Sequence, residues 1–168
     1  MNMAINVGSD CAFTSDVSGL TWLPDQPYSK GSWGYIEGKA RSTTSEIENT
    51  TDGPLYQTWR ENLRAYQIDA PSGTYEVELL MADVSRSRPQ LANLLGRGDD
   101  GQAIADSRFN ITICGRRVET DFSPADGGHY RQAFRRRYII QNKENKIDVL
   151  FETLKGKCHL AGIKIRKL

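Results

Sequence analysis

The residues of this sequence best suited to chemistry are aromatic rings and charged groups that together could hold a sugar. Sugars have apolar C–H faces and many hydroxyls, so their sites combine a flat aromatic platform with planar polar side chains. We expect Trp33 to project outward from a glycine-flanked loop, and Asp83 and Arg86 to straddle the exposed end of a strand. The candidate platform residues are Trp33, Tyr35 and Trp59, and the candidate polar partners are Arg60, Asp83, Arg86 and Arg88.

The sequence does not predict a catalytic site. A glycosidase needs two carboxylates roughly 5 to 10 Å apart across the scissile bond. Asp52, Glu61 and Asp83 could supply them, but each is more simply explained as a turn cap or a strand-end charge. There is no Gly-x-Ser-x-Gly motif and no Walker loop, and neither His129 nor His159 is paired with a nucleophile.

A metal or cofactor is not predicted either. The three cysteines are too few for a disulfide scaffold and too irregularly spaced for a zinc site. Cys11 and Cys158 could meet if the terminal strands pair, although three buried or half-buried thiols are the favoured interpretation. Asp99-Asp100 is the nearest candidate for calcium, but no third carboxylate follows close by.

Bulk charge and hydropathy exclude other partners. The net charge is +1, and the run Arg135-Arg136-Arg137 would alternate between the two faces of a strand, so nucleic acid is not an expected partner. No apolar run approaches the roughly 20 residues of a membrane span, so membrane insertion is not expected. No signal peptide follows Met1, so an export signal would have to lie outside this chain.

The elements that must position these residues are short strands. Between 75 and 81 apolar residues recur at every second position. The opposite face starts with Glu76 and Glu78 and turns apolar at Leu80 and Ala82, as in a strand that runs from solvent to a covered region. Similar alternation recurs at 109–113, 134–140, 147–151 and 160–165. With 168 residues and no convincing helix, the pattern predicts one all-β domain, an antiparallel β-sandwich.

Two long segments interrupt this pattern. Residues 10–51 are rich in turn-forming residues yet contain two of the three tryptophans. Residues 86–107 are interpreted as a long excursion between two strands. Loops of that length in a compact domain are usually functional or disordered. Some aromatics of the first segment are expected to plug the structure under the loops, and others to be exposed for binding.

Several motifs, in the right order along nearly the whole chain, resemble the malectin-type carbohydrate-binding domain. A narrower pair of motifs resembles the malectin-like modules of bacterial family 2 glycoside hydrolases of the β-galactosidase type. The first set is Ala4–Gly8, Leu55-Tyr56-Gln57-Thr58, the pattern Y-x-I-x-x-P-x-G-x-Y-x-V-x-L that starts at Tyr66, Phe109–Gly115 and Asp121-Phe122. The narrower pair is Trp22-Leu23-Pro24-Asp25 with Gly31-Ser32-Trp33-Gly34-Tyr35.

The resemblance implies a jelly-roll version of the sandwich and part of a sugar site. An aromatic just before a glycine in the animal family members matches Trp33. A second family aromatic is replaced here by Glu61, an aromatic pair is replaced by Ser85-Arg86, and the late aspartate has no equivalent between Lys155 and His159. Recognition of a glucose disaccharide is therefore not inherited, and an arginine-rich rim would suit a galactoside or an acidic sugar.

Three functions follow as hypotheses. The first is a non-catalytic module that targets a larger periplasmic or extracellular glycoside hydrolase to a plant or host glycan. The second is a structural accessory domain that packs against the catalytic domains of the same chain without binding sugar, and the third is a weak hydrolase. An exposed, coplanar pair among Trp33, Tyr35 and Trp59 would favour the first over the second.

Overall fold

The computed structural model describes residues 1–84, 107–126 and 131–168. Within these ranges the chain forms fourteen β-strands and one short 3-10 helix, Gly53–Tyr56. The segment 86–107 lies outside the described residues except for Ser107. In chain order the strands are β1 (Asn2–Asn6), β2 (Phe13–Thr14), β3 (Thr21–Pro24), β4 (Trp33–Ile36), β5 (Lys39–Ser42), β6 (Thr58–Glu61), β7 (Ala65–Asp69), β8 (Gly73–Ala82), β9 (Arg108–Ile113), β10 (Arg116–Phe122), β11 (Ala133–Asn142), β12 (Lys146–Lys155), β13 (His159–Leu160) and β14 (Gly162–Lys167).

Two large sheets pack face to face. In the described residues, one sheet has the strand order β11-β8-β14-β1-β3-β2 and the other the order β10-β9-β12-β7-β4. A small third sheet has the order β13-β6-β5. Among these strand pairs only β1 with β3 is parallel. The predicted all-β fold, an antiparallel sandwich of the jelly-roll type, is confirmed.

The main core lies between the two large sheets. The alternating positions of β8 and β9 supply it, and Val77, Leu79 and Ile111 are fully buried there. Val149 of β12 and Ile5 of β1 complete the packing from neighbouring strands. The predicted burial of the β9 apolar residues, and therefore its register, is confirmed.

A second core covers the outer face of β8. Glu78 on this face is buried and pairs with Arg135, whose Nη1 lies 3.3 Å from Oε1. Further along the strand Leu80 packs in a cluster with Tyr56 of the 3-10 helix and Trp59 of β6. The prediction that the strand runs from solvent into a covered region is confirmed, since the chain from 47 to 59 provides the cover.

Trp33 opens a strand, which corrects the expectation of a loop residue. It stands opposite Ile68 of β7. On the side of β4 that faces away from β7, the Tyr35 N–H donates to the Gln26 carbonyl at 2.9 Å. Gly34 is required there, because a Cβ at this position would lie 2.4 Å from the Gln26 oxygen. Pairing on both sides therefore fixes the direction of the Trp33 ring, which a glycine-flanked sequence does not indicate.

Candidate functional site

The candidate site is built around β4, the last strand of its sheet. Trp33 and Tyr35 are two positions apart on this strand, so their side chains leave the same face. Both are half-buried and pack against the main core from the edge of the sandwich. Both residues are thus partly accessible and held by the core on one side, and the Trp33 Nε1 atom is buried without a hydrogen-bond partner among the described residues.

Arg60 lies against Tyr35 rather than at the rim. Its guanidinium carbon is 3.3 Å from the centre of the Tyr35 ring, and Nη1 donates to the Gly38 carbonyl at 3.1 Å. Only 7% of Arg60 is exposed. The expectation that it reaches into solvent to grip a sugar is wrong, because its hydrogen bonds and its stacking hold it inside the protein.

Asp25 is the anchor of this arrangement. Its Oδ2 accepts hydrogen bonds from Arg60 Nε at 2.9 Å and from the Gly8 N–H at 2.8 Å. Its Oδ1 accepts from the Tyr66 hydroxyl at 2.9 Å and from the Gln26 N–H at 3.0 Å. Burial, with the charge and hydrogen bond of Asp25, raises the pKa of Tyr66, which therefore remains a donor. The sequence alone assigns Asp25 no role, although Asp25 belongs to the Trp-Leu-Pro-Asp motif that carries the narrower family resemblance.

Two further candidate residues are buried. Trp59 is 7% exposed and packs in the second core with Leu55 and Trp22, because its side chain faces the outer surface of the six-stranded sheet. Asp83 is 5% exposed at the end of β8, where its carbonyl accepts the Arg131 N–H at 2.8 Å. Their expected exposure at the surface is therefore corrected.

The remaining polar candidates, Arg86 and Arg88, lie outside the described residues. Among the three candidate aromatics, Trp59 is buried, and Arg60 covers one face of Tyr35. Trp33 is the aromatic whose ring is left as the main candidate for stacking. The described part of the chain brings Trp33, Tyr35 and Arg60 together at β4 and leaves Trp59 in the second core.

Glu61, where the resemblance placed an aromatic, is buried and forms an ion-pair cluster with two partly exposed basic side chains. Its Oε1 lies 2.7 Å from Arg41 Nε and 3.2 Å from Lys157 Nζ. Burial acts to raise the pKa of Glu61, but the hydrogen bonds from Arg41 and Lys157 oppose it, and the net pKa lies below its ordinary value. This sequence departs from the family pattern at Glu61 and again between Lys155 and His159. The ion pair of Glu61 with Lys157 connects these two positions.

The described residues provide no group of three or more His, Cys, Asp or Glu side chains that could hold a metal ion. Asp99-Asp100 lies outside them, so the absence of a structural calcium stays a prediction. All three cysteines are free, and Cys114 and Cys158 are half-buried and buried as expected, but Cys11 is exposed, which corrects the expectation that all three thiols are at least half-buried. Among the described residues no helix is long and apolar enough to cross a membrane.

Comparison with known proteins agrees with this architecture. The family model of the Malectin domain matches residues 1–165. The chain belongs to the malectin domain family. No curated protein sequence matches it significantly.

Solved structures place this malectin domain beside two groups of proteins. A β-glucuronidase of Bacteroides uniformis is 46% identical with a TM-score of 0.86, and the match covers 100% of this chain and 18% of the enzyme chain. The plant receptor-like kinase FER is 14% identical over 100% of this chain and 42% of its own, with a TM-score of 0.73. The ANX2 ectodomain of Arabidopsis thaliana is 17% identical over 98% and 49%, with a TM-score of 0.70. The plant likenesses show the fold alone, and the malectin domain spans less than a fifth of the enzyme.

Proposed function

We propose that residues 1–168 form one non-catalytic carbohydrate-binding module of a larger glycoside hydrolase of the family 2 type. The observation that carries this proposal is the match of the entire chain, at 46% identity, to 18% of a β-glucuronidase. A bacterial enzyme that degrades plant or host glycans would work in the periplasm or outside the cell. The partners are then a glycan and the catalytic domains of the same polypeptide, with neither nucleic acid nor a membrane involved.

Two of the three carboxylates considered for catalysis, Glu61 and Asp83, support a non-catalytic role. Glu61 is held in ion pairs with Arg41 and Lys157, and Asp83 is buried at a strand end. A retaining or inverting glycosidase needs two carboxyl groups that face one sugar across a cleft. Carboxylates that are buried and already paired do not have that access.

The sugar site that we propose is centred on Trp33 at the edge of β4. A half-buried indole held by the core can cover one apolar face of a pyranose with little loss of side-chain freedom. Tyr35 lies beside it, and Arg60 and Asp25 hold Tyr35 from within. Trp59 and Asp83 support the surrounding structure from buried positions. Arg86, which lies outside the described residues, stays a predicted polar contact.

A structural accessory domain is the second candidate function. The burial of Trp59 and the stacking of Arg60 on Tyr35 favour it, because they remove the flat pair of exposed rings that sugar modules commonly present. In that case the β4 edge would pack against the catalytic domains of the same polypeptide.

A glycan array probed with the labelled 168-residue chain tests the first proposal against the second. We expect signal on a limited set of glycans and loss of that signal for Trp33→Ala. The array should include neutral and acidic oligosaccharides of plant and host origin. A folded chain that binds none of them would contradict sugar binding and favour the structural role.

A further inference from the structure

A groove of about 570 Å³ lies at the end of the sandwich where the turn from β9 to β10 meets the turn from β11 to β12. Ile113 to Arg116, Ile139 to Glu144, and Lys146, Asp148 and Leu150 of β12 line it. None of the proposed β4 residues is among these. The tight turn through Cys114 and Gly115, both at positive φ, forms one part of the groove lining.

The groove contains a buried acceptor that lacks a hydrogen bond. Asp148 Oδ1 is buried without a hydrogen-bond partner among the described residues, while Oδ2 lies 3.5 Å from Lys146 Nζ and the side chain as a whole is 24% exposed. A buried carboxylate oxygen without a donor is unfavourable, so a rotation of the partly exposed carboxylate that turns this oxygen toward a ligand hydroxyl in the groove would be stabilised. Lys146 lies at the other carboxylate oxygen, and its side chain is 34% exposed on a flexible stem, so it can adjust to such a rotation.

The charged residues of the lining indicate the charge of the ligand. Arg116, Lys143 and Lys146 outnumber the acidic residues Glu144 and Asp148, so the groove favours an anion and disfavours an ammonium group. Arg116 donates one hydrogen bond to the Ile139 carbonyl at 3.3 Å, and a guanidinium has four further N–H donors.

Apolar side chains are exposed on both sides of the groove. Ile139 of β11 is 49% exposed and Leu150 of β12 is 42% exposed. Aliphatic groups in these positions can contact the C–H face of a ring. The ligand that fits the whole lining therefore has hydroxyl donors, a negative charge and an apolar face.

We propose that this groove is a second carbohydrate-binding site and that it takes an acidic sugar, a uronic acid unit. Its carboxylate lies toward Arg116 and Lys143, a hydroxyl donates to Asp148, and the ring lies between Ile139 and Leu150. This site goes beyond the function proposed for β4 and does not depend on it, since the two sets of residues are separate.

A nitrogen-15 NMR titration of the chain with sodium glucuronate tests the site, with glucose as the neutral control and the ionic strength held constant. We expect saturable shifts at the amides of Gly115, Arg116 and Glu144, and much smaller shifts with glucose. Sodium galacturonate in a parallel titration separates recognition of the acid group from recognition of the ring configuration. Shifts that map to β4, or that grow without saturation over the whole surface, would overturn the groove proposal.

Matched variants make the test specific. Lys143→Ser and Lys39→Ser remove the same charge from exposed lysines, one in the groove and one on β5. Lys143→Ser should weaken glucuronate binding by about tenfold, and Lys39→Ser by less than about twofold. Asp148→Ala would remove a negative charge beside the acidic ligand together with the acceptor, so Arg116→Ser, which removes a donor to the ligand carboxylate, is the second variant and should also weaken glucuronate binding by about tenfold. Equal effects of the two lysine variants would show a general ionic response and overturn the proposal.

Discussion

Arg60 stacks on the ring of Tyr35, with 3.3 Å between its guanidinium carbon and the ring centre. The same side chain pairs with Asp25, so one arginine links β4, β6 and the end of β3. Only 9% of the Arg60 side chain and 2% of the Asp25 side chain are exposed. The position of the proposed sugar-binding edge therefore depends on a buried ion pair beneath it.

Removal of Asp25 should destabilise the domain strongly. Asp25→Ala leaves the Arg60 charge buried without its partner, which commonly costs about 3 to 5 kcal/mol. Urea unfolding followed by circular dichroism measures the change. The control is Glu37→Ala, which breaks the ion pair between Glu37 and Arg64. The two side chains are 63% and 64% exposed, so this variant should lose about 1 kcal/mol of stability or less. Similar losses for the two variants would contradict the anchoring role of Asp25.

Truncation of Ile111 should test the packing between the two large sheets. Its side chain is fully buried in the main core, so Ile111→Ala should lower the free energy of unfolding by about 2 to 5 kcal/mol. Leu154→Ala on β12 is the matched control, because Leu154 is 52% exposed and should change stability by less than about 1 kcal/mol. A loss below about 1 kcal/mol for Ile111→Ala would contradict the register of β9.

The strands could be predicted from the sequence because their cause is local. Alternation along β8 and β9 directly indicates which side chains enter the core, and even the change of the outer face of β8 from Glu78 to Leu80 is visible. Trp33 was predicted wrongly as a loop residue, since its strand depends on pairing with Ile68, far along the chain. Glycines on either side of Trp33 suggested a turn, whereas Gly34 makes room for the segment at Gln26.

The candidate site could be predicted only in part, because burial there depends on distant contacts. Arg60 was expected at a rim, but its partner Asp25 stands 35 positions earlier in the sequence. Tyr66, a further donor to Asp25, is 41 positions away from it. Residue type alone does not distinguish an arginine that grips a ligand from one that holds an aspartate and an aromatic ring.

Stability should fall as the pH drops from 7.5 to 5.5 because of His159. Its side chain is buried, Nε2 lies 2.9 Å from the Ala82 carbonyl, and burial lowers the pKa of His159 despite the nearby charges of Asp83 and Glu61. In the unfolded chain the imidazole has a pKa of about 6.5, so below that pH the unfolded state binds more protons than the folded state. The free energy of unfolding should then decrease by at most about 1.4 kcal/mol per pH unit, and the stability lost is regained above about pH 6.5.

Urea unfolding at several pH values measures this slope. His159→Gln keeps a donor toward Ala82 and cannot take up a proton, so its slope should be nearly flat between pH 7.5 and 5.5. His129→Gln removes the only other histidine and serves as the control. If the free energy of unfolding of His159→Gln changes with pH as steeply as that of the parent protein, another group is responsible.

Replacement of Trp33 should separate sugar binding from folding at the β4 edge. Because the ring is half-buried, Trp33→Ala should cost less than the roughly 3 to 5 kcal/mol of a fully buried tryptophan, and the domain should stay folded. Stacking of this kind is worth on the order of 1 to 3 kcal/mol. Its loss should therefore lower the affinity for the glycan identified on the array by about ten- to hundredfold, as measured by calorimetric titration. Phe134→Ala on β11 is the control, since Phe134 is also half-buried against the main core but lies in the other large sheet and should leave glycan affinity unchanged. A folded Trp33→Ala protein with parental affinity would remove Trp33 from the site.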